Sequence, residues 1–338
     1  MTSRATPPAP GRPQYAFTAL ALLLLSIVVA VGLEGYVRLV IDDGLHFDLE
    51  MWKYAREVKQ VAADPILGHE HRPGAAAHLM GVDVRINRLK LRDAEYPYER
   101  PPGVQRVLML GDSVTFGWGV PVADTVAKRL ERQLRARGRH VEVINTGVGN
   151  YNTTMELEYF FAEGFRYDPQ VVVLNYFIND AEPVPTYRAP NLLQRHSYAY
   201  VWLSGRLDVL ARLLTRRQNW ADYYLALYEA PGWTAVQQSI ARLTAYCRDR
   251  GIGVLIANYP ELRELKPYRF DRVRTLVRET AERNGAAYLD LYDAVRDETP
   301  ERLWVTKPDD HPSSYAHGLF ADAMVATVSR MLDRPAAR

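Results

Sequence analysis

The sequence predicts an α/β protein: a three-layer domain built on one parallel sheet and preceded by a single transmembrane helix. Three observations predict it. From residue 104 onward, β-branched and leucine-rich runs alternate with stretches of helical periodicity. The carboxyl ends of those runs carry small polar residues that apolar packing does not explain. Near the amino terminus, no charged residue interrupts the run 15–33. The chain has 338 residues, 48% of them apolar, enough to bury a sizeable core. Its 42 basic and 40 acidic residues are interspersed, for a net charge of +2, so no block of charge argues for nucleic acid. The single cysteine, Cys247, has no partner for a disulfide or a metal cluster and is expected as a buried filler.

Residues 1–14, rich in Pro, Ala and Arg, are expected as a disordered cytoplasmic tail. Residues 15–35 are expected as an uncleaved signal anchor that crosses the bilayer. A cleaved signal peptide is the rival reading, with Ala30-Val31-Gly32 as its cleavage site, but its apolar region spans only about 7–15 residues. Arg4 and Arg12 precede the span, and Glu34, Asp42 and Asp43 follow it with only Arg38 nearby. The positive-inside rule then leaves the tail in the cytoplasm and places the rest outside.

Residues 36–65 are expected as a helical stalk leading away from the membrane, with Trp52, Tyr54 and Val58 set among charges and Asp64-Pro65 as its end. Residues 66–338 form the main domain, opened by a small β-rich lead-in over 66–102 in which Val82, Val84 and Ile86 alternate with charges. His69, His71 and His78 fall there. A His-x-His pair can hold a metal, but no cluster with ligand spacing accompanies it, so ordinary surface histidines are expected.

Strands are expected at 104–110, 141–145, 171–176, 253–258 and 286–290, with helices at about 122–138, 153–164, 198–217, 234–250, 270–284 and 314–332. Such alternation calls for a parallel sheet covered on both faces, because parallel neighbours need crossover connections. The segment 180–233 is the one large insertion. Its tyrosines, Tyr223, Tyr224 and Tyr228, and the leucine-rich 192–214 stretch are expected as core or helix packing, with a wall above the site as the alternative.

Polar residues gather at four points. They are Gly111-Asp112-Ser113 after the first strand, the run from Thr146 through Gly149, Asn150 and Asn152 after the second, Asn179-Asp180 after the third, and Asp309-Asp310-His311-Pro312 before the last helix. Strand ends on one edge of a parallel sheet converge, so separation in sequence does not count against a shared site. Ser113 is the candidate nucleophile; a serine hydroxyl needs a base, and that base needs an orienting acid. Asp309 and His311 share a face if their loop is extended, while Asp310 points away. Taken singly, each cluster also reads as a turn or a helix cap.

These blocks, GDSVTFG, GVGNYNT, FIND and DDHP, resemble in order and position those of the SGNH, or GDSL-like, hydrolases, and RINRLKLRD resembles the lead-in of membrane-anchored bacterial members. The resemblance covers roughly 66–333 and implies a flavodoxin-like α/β/α fold and a serine triad with no cofactor or metal. It implies Ser113 as nucleophile, His311 as general base and Asp309 as its acid. The backbone N–H groups of Ser113 and Asn150 and the amide of Asn179 would form the oxyanion hole, with Asp112, Gly149 and Asp310 in support. The sequence departs from the family pattern in three places: Asn150 stands where a glycine is usual, Phe177 replaces another, and the acid lies two residues before the histidine, Pro308 occupying the commoner position. The implied activity is cleavage of an ester, acetyl foremost, from an envelope or exported saccharide. An O-acyltransferase using the same triad is the alternative, and a silent carbohydrate-binding or scaffold subunit of an envelope polysaccharide machine is another. The expected partners are that acylated substrate and the lipid bilayer through residues 15–35.

Overall fold

The computed structural model of the protein describes residues 12–185, 190–214 and 219–333; most of the expected tail lies outside them. Helix α1 (Arg12–Tyr36) begins within that tail's expected bounds. Its side chains from Tyr15 to Gly32 are exposed on every face, and it is long and apolar enough to cross a bilayer. A π-helical turn, Val37–Ile41, closes it.

The helical stalk expected over 36–65 is not continuous and does not lead away from the domain. The chain breaks at Asp42 and restarts as α2 (Phe47–Glu57), with Leu49, Glu50 and Tyr54 buried. An amphipathic helix buries its apolar face on the nearest apolar surface, and here that surface is the main domain: the Tyr54 ring packs 5.1 Å from Phe116 and 5.6 Å from Trp118. The lead-in that follows is two small hairpins. β1 (Lys59–Val61) pairs antiparallel with β2 (His69–His71), and β3 (Ala76–Leu79) with β4 (Val82–Arg85). His78 is exposed, but the surface reading fails for the other two histidines: His71 is buried and His69 half-buried, because β2 packs against the domain.

The main domain runs through β5 (Gln105–Leu110), α3 (Ser113–Phe116), α4 (Val126–Ala136), β6 (Val141–Asn145), α5 (Thr153–Ala162) and β7 (Val171–Tyr176). The insertion holds α6 (Leu192–His196), α7 (Tyr198–Leu214) and α8 (Trp220–Leu227). The chain ends through α9 (Pro231–Arg248), β8 (Gly253–Asn258), α10 (Asp271–Arg283), β9 (Ala287–Asp290), α11 (Pro300–Leu303), the hairpin β10 (Trp304–Thr306) and β11 (Asp309–Pro312), and α12 (Ser314–Leu332).

Five strands form one parallel sheet in the order β6-β5-β7-β8-β9. Side chains along each strand alternate between faces. Val107 and Met109 pack with α4 and α12 on one side, Leu108 and Leu110 with α5, α9 and α10 on the other. Each such buried aliphatic contributes about 1.5–3 kcal/mol, and β7, buried at all six positions, is the centre of the sandwich. The strand order reverses direction between β5 and β7, the position at which open α/β sheets leave a crevice for ligands. Ser113 follows β5 and Asn179 follows β7.

Candidate active site

Asp112 sets the turn that presents Ser113. Its carboxylate accepts the Val114 N–H at 2.8 Å and its carbonyl accepts the Phe116 N–H at 2.9 Å, so Ser113 opens the short helix α3. The turn is tight enough that a Cβ on Gly111 would lie 1.9 Å from Thr115 Oγ1, which admits only glycine.

The DDHP segment is strand β11 of a short hairpin, so its side chains alternate. His311 Nε2 lies 2.9 Å from Ser113 Oγ, and His311 Nδ1 lies 2.6 Å from Asp309 Oδ1. The second oxygen of Asp309 accepts the Trp118 indole N–H at 2.8 Å, which leaves the buried carboxylate no freedom to rotate. Asp310 turns the other way and is held by the Arg263 guanidinium through two bonds of 2.7 and 3.0 Å. Burial opposes a charge on His311, but the hydrogen bond and charge of Asp309, with Asp112 and Asp310 beyond, outweigh it and hold its pKa above the ordinary imidazole value.

Ser113, Asn150 and Asn179 face a common cavity of about 1480 Å³. Asn179 donates one amide hydrogen to Asp112 Oδ2 at 3.0 Å, which orients the amide and leaves its second hydrogen uncommitted. Burial raises the pKa of Asp112 despite the hydrogen bonds from Val114 and Asn179. The backbone N–H groups of Ser113 and Asn150 have no acceptor among the described residues, whereas that of Gly149 is taken by Tyr54 Oη at 3.0 Å. Of the two neighbours in the second block, Asn150 therefore has the donor to spare. It sits at φ +68°, a left-handed conformation that asparagine tolerates.

Residues outside the four blocks hold that donor in place. Lys59 Nζ donates to the Gly149 carbonyl at 2.5 Å and to Asn150 Oδ1 at 2.9 Å, and His69 Nε2 lies 3.0 Å from the same carbonyl. The Gly149 carbonyl and the Asn150 N–H belong to one planar trans peptide and point in opposite directions. Whatever grips the carbonyl therefore aims the N–H. Tyr54 completes the clamp: it accepts from Gly149 and so donates to His71 Nε2 at 2.6 Å, while His71 Nδ1–H donates to the Lys90 carbonyl. Burial keeps His71 neutral, as its accepting Nε2 requires, by pulling it to about 3, and pulls Lys59 down to about 7. None of Tyr54, Lys59, His69 and Trp118 was picked out as functional in the sequence, and no motif marks them; Lys59 and Gly149 are 90 residues apart. Among the described residues no group of three or more His, Cys, Asp or Glu stands ready to hold a metal ion.

The cavity wall opposite the sheet comes from α2 and the insertion. Phe47 lies 5.9 Å from the His311 ring, and Trp220, Tyr223 and Tyr224 of α8 line the far side. Leu192 and Leu193 of α6 and Leu203, Leu207 and Leu210 of α7, expected as core or helix packing, are instead exposed.

Residues 109–319 match the sequence profile of the GDSL-like lipase/acylhydrolase family. No functionally curated protein matches the chain. Among solved structures, the chain is similar to TesA at 16% identity and TM-score 0.46, over 67% of this chain and 99% of that one. It is also similar to a lipase/acylhydrolase from Enterococcus faecalis at 16% identity and TM-score 0.44, over 69% of this chain and 100% of the other. An acetyl-xylooligosaccharide esterase of a Geobacillus, solved as an R55A variant, aligns at 18% identity and TM-score 0.42, over 69% and 96%. The family assignment rests on the sequence match.

Proposed function

We propose, from the premise that this chain belongs to the GDSL-like lipase/acylhydrolase family and is an ester-cleaving serine hydrolase, that Ser113, His311 and Asp309 are its catalytic triad. The observation that carries this reading is the His311 ring, which bridges Ser113 and Asp309 at 2.9 and 2.6 Å. His311 takes the Ser113 proton as the oxygen attacks the ester carbonyl, and returns it to the leaving alcohol as the tetrahedral intermediate collapses. The Ser113 N–H, the Asn150 N–H and the Asn179 amide hold the oxyanion, each such donor contributing about 3–4 kcal/mol in other hydrolases. Water, deprotonated by His311, then attacks the acyl-enzyme and releases the acid.

The substrate is an acylated saccharide, acetyl foremost, of the envelope or an exported polymer. Trp220, Tyr223 and Tyr224 offer ring faces, and Asn219 and Glu182 offer hydrogen-bond partners, a mixture that suits sugar rings. The cavity exceeds the 300–1,000 Å³ or so usual for small-molecule sites, at about 1480 Å³. That volume favours, as a second reading, an acceptor sugar resolving the acyl-enzyme in place of water. The bilayer is reached through α1, with the domain on the extracytoplasmic side of a bacterial inner membrane, alone or alongside polysaccharide machinery.

The experiment is labelling of Ser113 by a fluorophosphonate probe together with acetate release from acetylated oligosaccharides. Labelling lost in Ser113→Ala, with acetate release in the wild type, is the expected result. An unlabelled wild-type protein would identify a silent binding subunit, and acetyl appearing on an added sugar would identify the transferase.

A further inference from the structure

The insertion is tied to α1 where that helix leaves its apolar run. Glu34 accepts hydrogen bonds from Ser197 Oγ at 2.7 Å, the Tyr198 N–H at 3.1 Å and the Ala199 N–H at 3.0 Å. Arg38 donates to the His196 carbonyl at 2.9 Å and lies 4.3 Å from the Tyr198 ring centroid. With 15–33 in the hydrocarbon, the junction of α6 and α7 sits at headgroup level. There Leu192 and Leu193 are 74% and 55% exposed, and Leu203, Leu207 and Leu210 form one exposed stripe along α7. Residues 190–219 also carry five arginines against one aspartate. An exposed leucine stripe in an arginine-rich stretch is the pattern of a helix lying in an anionic bilayer interface.

This surface adjoins the active site. Ala199 touches Glu34, and Val209, which lines the cavity, is ten residues further along α7, about 15 Å at the helical rise. Asp48 runs beside Gly205, whose added Cβ would lie 3.1 Å from its carboxylate, and Phe47 next to it packs on His311. We infer that α6 and α7 lie on the bilayer surface and that the cavity draws its ester from amphiphiles anchored there, a saccharide head on a lipid tail. The inference rests on reading the chain as a membrane-anchored esterase and names the form in which its substrate arrives.

The test uses the full chain in nanodiscs of phosphatidylethanolamine and phosphatidylglycerol. Leu207→Cys is labelled with the environment-sensitive NBD fluorophore, Cys247 being fully buried. Blue-shifted emission quenched by doxyl-labelled lipid is expected. Emission typical of water, or blue-shifted emission that doxyl lipid leaves unquenched because a protein or second copy covers the stripe, overturns the inference. Turnover is compared on tetra-O-acetyl glucoside with a hexadecyl or a methyl aglycone. The hexadecyl form should be preferred at least about tenfold through its surface concentration. Leu207→Glu with Leu210→Glu should abolish the preference while leaving p-nitrophenyl acetate turnover unchanged. Equal use of both glucosides by the wild type also overturns the inference, whereas loss of all ester turnover would instead refute the esterase reading.

Discussion

The two halves of the site are built differently. The acid–base pair is local: Asp309 and His311 share one face of β11, with Trp118 bonded to the carboxylate and Phe47 packed on the imidazole. The oxyanion half is assembled from distant segments, with Tyr54, Lys59 and His69 clamping the Gly149–Asn150 peptide from a lead-in that precedes the sheet. Proton transfer needs two side chains at a fixed spacing, which one short strand supplies. Aiming a backbone N–H needs its peptide plane held from outside, and side chains within the same loop lack the reach. The region after α1 therefore packs against the candidate site, where a helical stalk leading away was expected.

The strongest test of the acid–base half is Ser113→Ala, which should lower kcat by several orders of magnitude on p-nitrophenyl acetate with the fold intact by circular dichroism. Retained activity would place the nucleophile elsewhere. Next in size is Asp309→Asn, by up to about 10⁴ in kcat if the serine-protease precedent holds. Asp310→Asn should have a small effect, since its partner is the half-exposed Arg263. The reverse ranking would reassign the acid.

The oxyanion half is broken by Lys59→Met, which should lower kcat by about 10²-fold, the order lost with one oxyanion donor. KM should barely move, because the substrate's ground state gains little from that N–H. A rise in KM with kcat unchanged would make the lead-in a binding wall and nothing more. Rescue by Lys59→Arg would show that a donor reaching the Gly149 carbonyl is what matters.

The smallest effect expected is in pH dependence, and it separates the halves. With neutral His311 as the proposed base, kcat/KM should rise as pH climbs through its pKa, which lies above the ordinary value. Asp309 stabilises the protonated ring, so Asp309→Asn should move the midpoint of that rise downward in a pH–rate profile. Lys59→Met should leave the midpoint in place while lowering the plateau. A shift of the midpoint in Lys59→Met would mean that the clamp and the base are one unit.

Much of this was legible without coordinates, and for physical reasons. Strands buried on both faces read as largely apolar runs, and 171–176 and 253–258 coincide with β7 and β8, as 141–145 does with the edge strand β6. The convergence of Ser113 and Asn179 was legible because parallel strands deliver their ends to one edge, and the shared face of Asp309 and His311 because an extended segment alternates. What tertiary structure decided was how the amphipathic pieces find partners. The helical pattern after residue 36 reads the same whether it leads away from the membrane or folds back onto Phe116 and Trp118. A leucine stripe likewise reads the same in a core and on a surface. Periodicity reports that a face is apolar and not what covers it, so the burial of α2, the Lys59 clamp and the exposed α7 were settled only when the whole chain was in place.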